Sequence, residues 1–135
     1  MELSAGAKQP TIEVSWGELV DKITILEIKE QRLHSEQAVA NVRKELALLR
    51  RTFDGLQLSP SLEKLKRELK GINQSLWEIE NRTRAKEAAK TFDAEFIQLT
   101  RSVYLKNDKR AAIKRQINEL TNSELVEEKQ YTRYT

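Results

Sequence analysis

Cysteine is missing altogether, which excludes disulfide scaffolds, thiol redox chemistry, cysteine nucleophiles and cysteine-ligated zinc. Histidine is represented once, by His34, so no histidine-paired metal site can form. Glu30, four residues before it, does not match the Glu-x-x-His spacing of carboxylate di-metal bundles. No metal and no cofactor are expected, and His34 reads as a turn residue. Four glycines and two prolines in 135 residues leave too few turn signals for a sheet protein. Uninterrupted apolar runs are short, such as Leu46 to Leu49, and Met1 to Pro10 contains none of signal-peptide length. Neither secretion nor membrane insertion is expected, and a reducing, cytoplasmic setting fits the lack of cysteine. No glycine-rich phosphate loop, nucleophile elbow or Ser/His/Asp set is present.

What is there suits helices. Leu, Glu, Lys, Arg, Gln and Ala dominate, and 24 basic residues interleave with 21 acidic ones. Arg101, Lys106, Lys109, Arg110, Lys114 and Arg115 scatter around a helical wheel, so no nucleic-acid face is expected. The length suits a single domain, residues 1–135, with an N-terminal arm over 1–14 and a C-terminal tail over 121–135. Ser15-Trp16-Gly17-Glu18 reads as a capping box opening a helix from Trp16 to Leu33, with Leu19, Ile23 and Leu26 at helical spacing. His34-Ser35-Glu36 breaks the rhythm. Val39, Val42, Leu46, Leu49 and Phe53 then form a second stripe, which Asp54-Gly55 closes with a left-handed glycine. Ser59-Pro60 starts a third helix carrying Leu62, Leu65, Leu69, Ile72, Leu76 and Ile79 and continuing to about Lys90. A last segment carries Phe92, Phe96, Leu99, Val103, Ile113, Ile117 and Leu120, with Asn107-Asp108 as a cap or kink. The expected fold is all-α: an elongated antiparallel helical bundle or hairpin of three to five helices with short connections.

Several charges fall on the apolar stripes. Glu27 sits within the arc of Trp16, Leu19, Val20, Ile23, Leu26 and Leu33, with Glu30 inside it as well. The third stripe runs on into Glu80, Thr83, Glu87 and Lys90, and the last passes through Lys106 and Arg110. An antiparallel hairpin with paired positions summing to about 183 sets Glu80 beside Val103 and within a turn of Lys106. Buried charges must be neutralised, so Glu27, Glu80 and Glu87 are expected to meet Lys106 and Arg110, or their neighbours Arg82 and Arg84. This is the candidate ligand-binding network. It either fixes helix register, or solvates the ends of the bundle, or forms a polar pocket for a small anion or sugar-like ligand. No catalytic residue is assigned.

Blocks of the chain are similar to an uncharacterised family of small all-helical bacterial proteins, a domain of unknown function. They include Gly17-Glu18-Leu19, Asp21 through Lys29, Glu45-Leu46, Leu76-Trp77, Ile79-Glu80, Arg101 through Tyr104, Asn107-Asp108, Arg110 through Lys114, and Glu127-Glu128-Lys129. The resemblance covers roughly Ile12 to Tyr134. Trp16, where the pattern suggests a smaller residue or proline, and Asn81, where it suggests aspartate, depart from it. The resemblance implies an association with cell-surface polysaccharide and glycosyltransferase functions.

Two functions follow as expectations. The first is a non-catalytic binding or accessory module that uses its bundle surface to hold a protein partner or to form a homo-oligomer, since no catalytic constellation is visible. The second is a cofactorless helical enzyme or small-anion binder using the Glu/Lys/Arg cluster. For the enzyme, Arg32 and Arg43 resemble the facing cations of small helical chorismate mutases, without the expected lysine.

Overall fold

Residues 8–134 are described by a computed structural model. The start of the expected arm therefore lies outside the described residues. Four helices follow in order: α1 Trp16–Arg32, α2 Glu36–Asp54, α3 Pro60–Ala88 and α4 Ala94–Leu120. Among the described residues there is no strand, and the fold is the all-α bundle that composition implies.

Each helix begins where a short polar side chain satisfies an orphan amide. The hydroxyls of Ser15, Ser35 and Ser59 accept from the amides of Glu18, Ala38 and Leu62, and the Asp93 carboxylate accepts from Phe96. Half of the expected capping box forms at α1: Glu18 does not reach back, because its carboxylate is held by Lys114 in α4.

The helix ends differ from expectation in two ways. Gly55 closes α2 in a right-handed conformation, φ −73° and ψ −12°, so its freedom at positive φ is not used. The left-handed positions are Lys90, φ 54°, and Asn122, φ 53°. There the amides of Thr91 and Ser123 reach back to the carbonyls of Lys86 and Asn118, each at 2.9 Å, closing α3 and α4. Asn107 and Asp108 neither cap nor break α4, which runs through them uninterrupted.

α3 and α4 pack along each other as an antiparallel hairpin, with α3 about 44 Å long at 1.5 Å per residue. Near their connection Lys86 meets Asp93 at 2.8 Å and Glu95 at 3.1 Å, and Arg82 also pairs with Glu95. α1 is the hub and touches the other three helices. That position explains why it buries two faces. Leu19, Val20, Ile23 and Leu26 join Val42, Leu46 and Phe53 of α2, Leu62 and Leu69 of α3, and Ile113 and Ile117 of α4 in the core. Gly17, Asp21, Thr24 and Ile28, spaced four, three and four apart, are buried on the other face. Gly17 is required there: a Cβ would lie 2.5 Å from the Lys114 carbonyl oxygen and 2.9 Å from Asn118 Oδ1. The close approach ties down the start of α1, since the Gly17 amide donates to Asn118 Oδ1 at 2.7 Å and the Trp16 amide to Ser123 Oγ at 3.3 Å. Two residues expected in the last stripe, Phe92 and Leu120, are exposed: Phe92 lies in the connection before α4, and Leu120 is the last residue of the helix.

Candidate functional site: a buried charge cluster

The most buried ionisable side chain in the core is Asp21, 1% exposed. Its carboxylate accepts from Arg110 Nε at 2.9 Å and from Arg110 Nη2, a two-point clasp that matches the planar guanidinium. Asn73 of α3 donates from Nδ2 to both Asp21 Oδ1 and Thr24 Oγ1, each at 2.9 Å, and the Thr24 hydroxyl donates to the Asp21 carbonyl at 2.8 Å. Three helices thus meet at one carboxylate. Among the described residues no buried side-chain polar atom lacks a partner.

One turn further along α4, Lys114 is 7% exposed and lies 2.8 Å from both Glu18 of α1 and Glu127 of the C-terminal segment, and 4.0 Å from Asp21. Burial lowers the Lys114 ammonium, but its bonds to Glu127 and Glu18 outweigh that and leave it above the ordinary lysine value. The same contact holds the Glu127 carboxyl below its ordinary range. Asp21 raises the Arg110 guanidinium against the downward push of burial. Asn107 supports Arg110 from the side, accepting from Nη1 at 3.4 Å.

Beside the cluster a cleft of about 310 Å³ opens between α1, α3 and α4. Ile25, Ile28, Leu76, Trp77 and Val103 make its apolar walls, and Asn73, Asn107, Arg110 and Glu80 are its polar positions. The presence of Glu80 and Val103 in one cleft agrees with the antiparallel register of α3 and α4.

The expected network of Glu27, Glu80, Glu87, Lys106 and Arg110 does not assemble as one unit. Arg110 is central, but to an aspartate and not to the glutamates. Glu27 is largely enclosed, its side chain 13% exposed, yet it faces Arg50 of α2 at 2.9 Å and Lys66 and Lys70 of α3 at 3.6 and 3.4 Å. Burial pushes its carboxyl up, and the bond to Arg50 with the charges of Lys66 and Lys70 holds it below the ordinary value. Glu80 is exposed and pairs along its own helix with Arg84 at 2.7 Å, and Glu87 is exposed and pairs with Lys90 at 3.4 Å. The physical reason is that α1 does not extend over the distal part of the α3–α4 pair, so charges on that stretch reach water directly. Lys106 lies on the far side of the hairpin from Glu80 and Arg110, in a separate groove. Arg32 and Arg43 do not converge; each sits in its own exposed pair, with Glu78 at 2.8 Å and Glu30 at 3.3 Å.

The residues that sequence reasoning missed are Asp21, Asn73, Lys114 and Glu127. The signal for Asp21 was its place between Gly17 and Thr24 on a second helical arc, in one of the blocks of family resemblance. Among the described residues no group of carboxylates and His34 could hold a metal ion, and no helix is long and apolar enough to cross a membrane.

No curated protein and no solved structure matches the chain. The model of a family of unknown function, DUF6165, matches residues 10–134, a span that contains all four helices and the charge cluster, and the chain belongs to that family.

Proposed function

We propose that this protein is a non-catalytic binding module that holds a protein partner on its helical surface. The observation that supports this reading most is the contrast between its interior and its outside. Inside, the carboxylates and cations of the cluster hold one another: Arg110 is clasped by Asp21, and Lys114 lies between Glu18 and Glu127. Within this cluster each carboxylate is held by a cation and each cation by a carboxylate, which favours the module over an enzyme or anion binder built on these residues. Outside, large apolar side chains stay in water along the hairpin, with Phe92 54% exposed, Ile97 53% and Leu105 46%.

The lack of cysteine suits a reducing cytoplasm, and a second copy of the chain is the simplest protein that such a face could hold. The family resemblance makes a sugar-transfer enzyme of bacterial cell-surface polysaccharide the first partner to test. The test is affinity capture from a native extract, read by mass spectrometry and by the sedimentation of the purified chain. One stoichiometric protein partner, or a defined dimer, supports the module. Ile97→Ser with Leu105→Ser should abolish that association and leave the melting temperature within a few degrees of wild type. A co-purifying metabolite on a monomeric chain would favour the enzyme instead.

A further inference from the structure

α1 closes only one side of the α3–α4 hairpin. On the opposite side the two helices enclose an open groove of about 480 Å³, to which α3 contributes Glu68, Gly71, Ile72 and Ser75 and α4 contributes Lys106, Lys109 and Ala112. Its floor is apolar and its walls are low, since Gly71, Ser75 and Ala112 carry little or no side chain.

Two further observations concern what fills this groove. Gly71 stands in the interior of a long helix, where glycine is disfavoured by about 1 kcal/mol relative to alanine. Nothing among the described residues explains it: a Cβ at Gly71 would meet no atom of theirs within 4 Å. Gly17, the other glycine inside a helix, is by contrast held by a close helix approach. Second, Lys106 and Lys109 take no part in the ion pairs of the described residues, although their neighbours Arg110, Lys114 and Arg115 are all paired. Two cations outside any ion pair flank an apolar floor, against one carboxylate, Glu68, which meets Lys64 at 4.0 Å, so the groove keeps a net positive charge.

We infer that this groove receives an amphipathic helix of a partner protein, one whose apolar stripe is flanked by aspartate and glutamate. A helix laid in the seam between two others buries an apolar face by the ordinary rules of helix packing. The low saddle at Gly71 lets its backbone come close, and Lys106 and Lys109 select carboxylates along its edge. This inference rests on the reading of the chain as a protein-binding module and specifies which surface acts and what chemistry it accepts.

The experiment is selection of a displayed library of helical peptides, with a fixed apolar stripe and randomised flanking positions, against the whole protein. Retained peptides should be enriched in acidic flanks. Their affinity should fall at least tenfold on Lys106→Glu with Lys109→Glu, and at least tenfold on Gly71→Leu, which puts a bulky side chain into the groove from a position where a Cβ meets no atom within 4 Å. Neither variant should melt below wild type by more than a few degrees. Selection without acidic enrichment, no retained peptide, or undiminished binding by both variants overturns the groove assignment. If the groove variants still capture the native partner while the Ile97/Leu105 variant does not, the groove is wrong and the binding module stands. If no variant or wild-type chain captures any protein or dimerises, both fall together.

Discussion

Replacing Asp21 by alanine removes the carboxylate on which three helices converge. The substitution leaves Arg110 without its two-point partner and takes from the Asn73 amide one of its two acceptors. Breaking a buried pair by removing one member costs about 3–5 kcal/mol, because the remaining charge stays desolvated. Arg110 keeps 26% of its side-chain surface in contact with water and can rehydrate in part, which places the loss near the lower end, about 3 kcal/mol. For a domain of this size that corresponds to roughly 10 °C in melting temperature, or about 1.5 M in urea midpoint at a slope of about 2 kcal/mol/M. Far-UV circular dichroism and the fluorescence of Trp16 and Trp77 should report the same transition. The specific signature is coupling. Arg110→Ala removes the cation that Asp21→Ala strands, so the double variant should be more stable than the sum of the single losses implies, by at least about 1 kcal/mol. Glu80→Ala, which removes an exposed carboxylate, should stay within about 0.5 kcal/mol of wild type. A loss below about 1 kcal/mol for Asp21→Ala, or strict additivity with Arg110→Ala, would refute the claim that this clasp holds the bundle.

The same change should have opposite signs at two glycines. Gly17→Ala should destabilise by about 1–3 kcal/mol, since its Cβ meets backbone at 2.5 Å, and Gly71→Ala should stabilise by about 0.5–1 kcal/mol; denaturation of the two variants side by side checks both. The carboxyls of Glu27 and Glu127 are held below the ordinary value of 4.5, so their contribution is complete above that pH and is lost as the pH falls through their folded values. Melting temperature should therefore hold from neutrality to about pH 4.5 and drop below it, and Glu27→Gln should flatten the drop. Lys90→Gly should gain about 1 kcal/mol in thermal denaturation by relieving a left-handed lysine that makes only an exposed contact with Glu87.

The fold was legible because the physics that sets it is local and periodic. Ser15, Ser35 and Ser59-Pro60 announce helix starts, and the stripes of α2 and α3 are the ones buried. The site was less legible because a helical wheel shows which side is apolar, not how many neighbours a helix has. α1 touches three helices, so the arc of Gly17, Asp21, Thr24 and Ile28 is as buried as its leucine and isoleucine arc. A small residue, an acid and a threonine on that arc carry no hydrophobic signal. Conversely, Glu80 and Glu87 continue an apolar stripe in register, but the stripe has outrun the helix that would cover it. Asn107-Asp108 looked like a cap because short polar residues favour helix starts; within α4 Asn107 instead accepts from Arg110 three residues on, and Asp108 accepts from the Tyr134 hydroxyl of the C-terminal segment.

The cluster also governs the C-terminal segment, which has no regular structure to hold it. Ser123 fastens it to the first amide of α1, Glu127 to Lys114 and Glu128 to Arg115, while Tyr134 packs its ring on Tyr104, with centroids 4.9 Å apart. Of these contacts only the one with Lys114 reaches a buried charge; the pair of Arg115 with Glu128 lies on exposed surface, where ion pairs contribute little. Lys114 is in turn placed by the close approach that Gly17 permits. A side chain at position 17 would push α4 away, separate Lys114 from Glu18, and loosen the segment through Glu127. Packing of two helices at one glycine thereby sets the electrostatics that anchor the last residues of the chain.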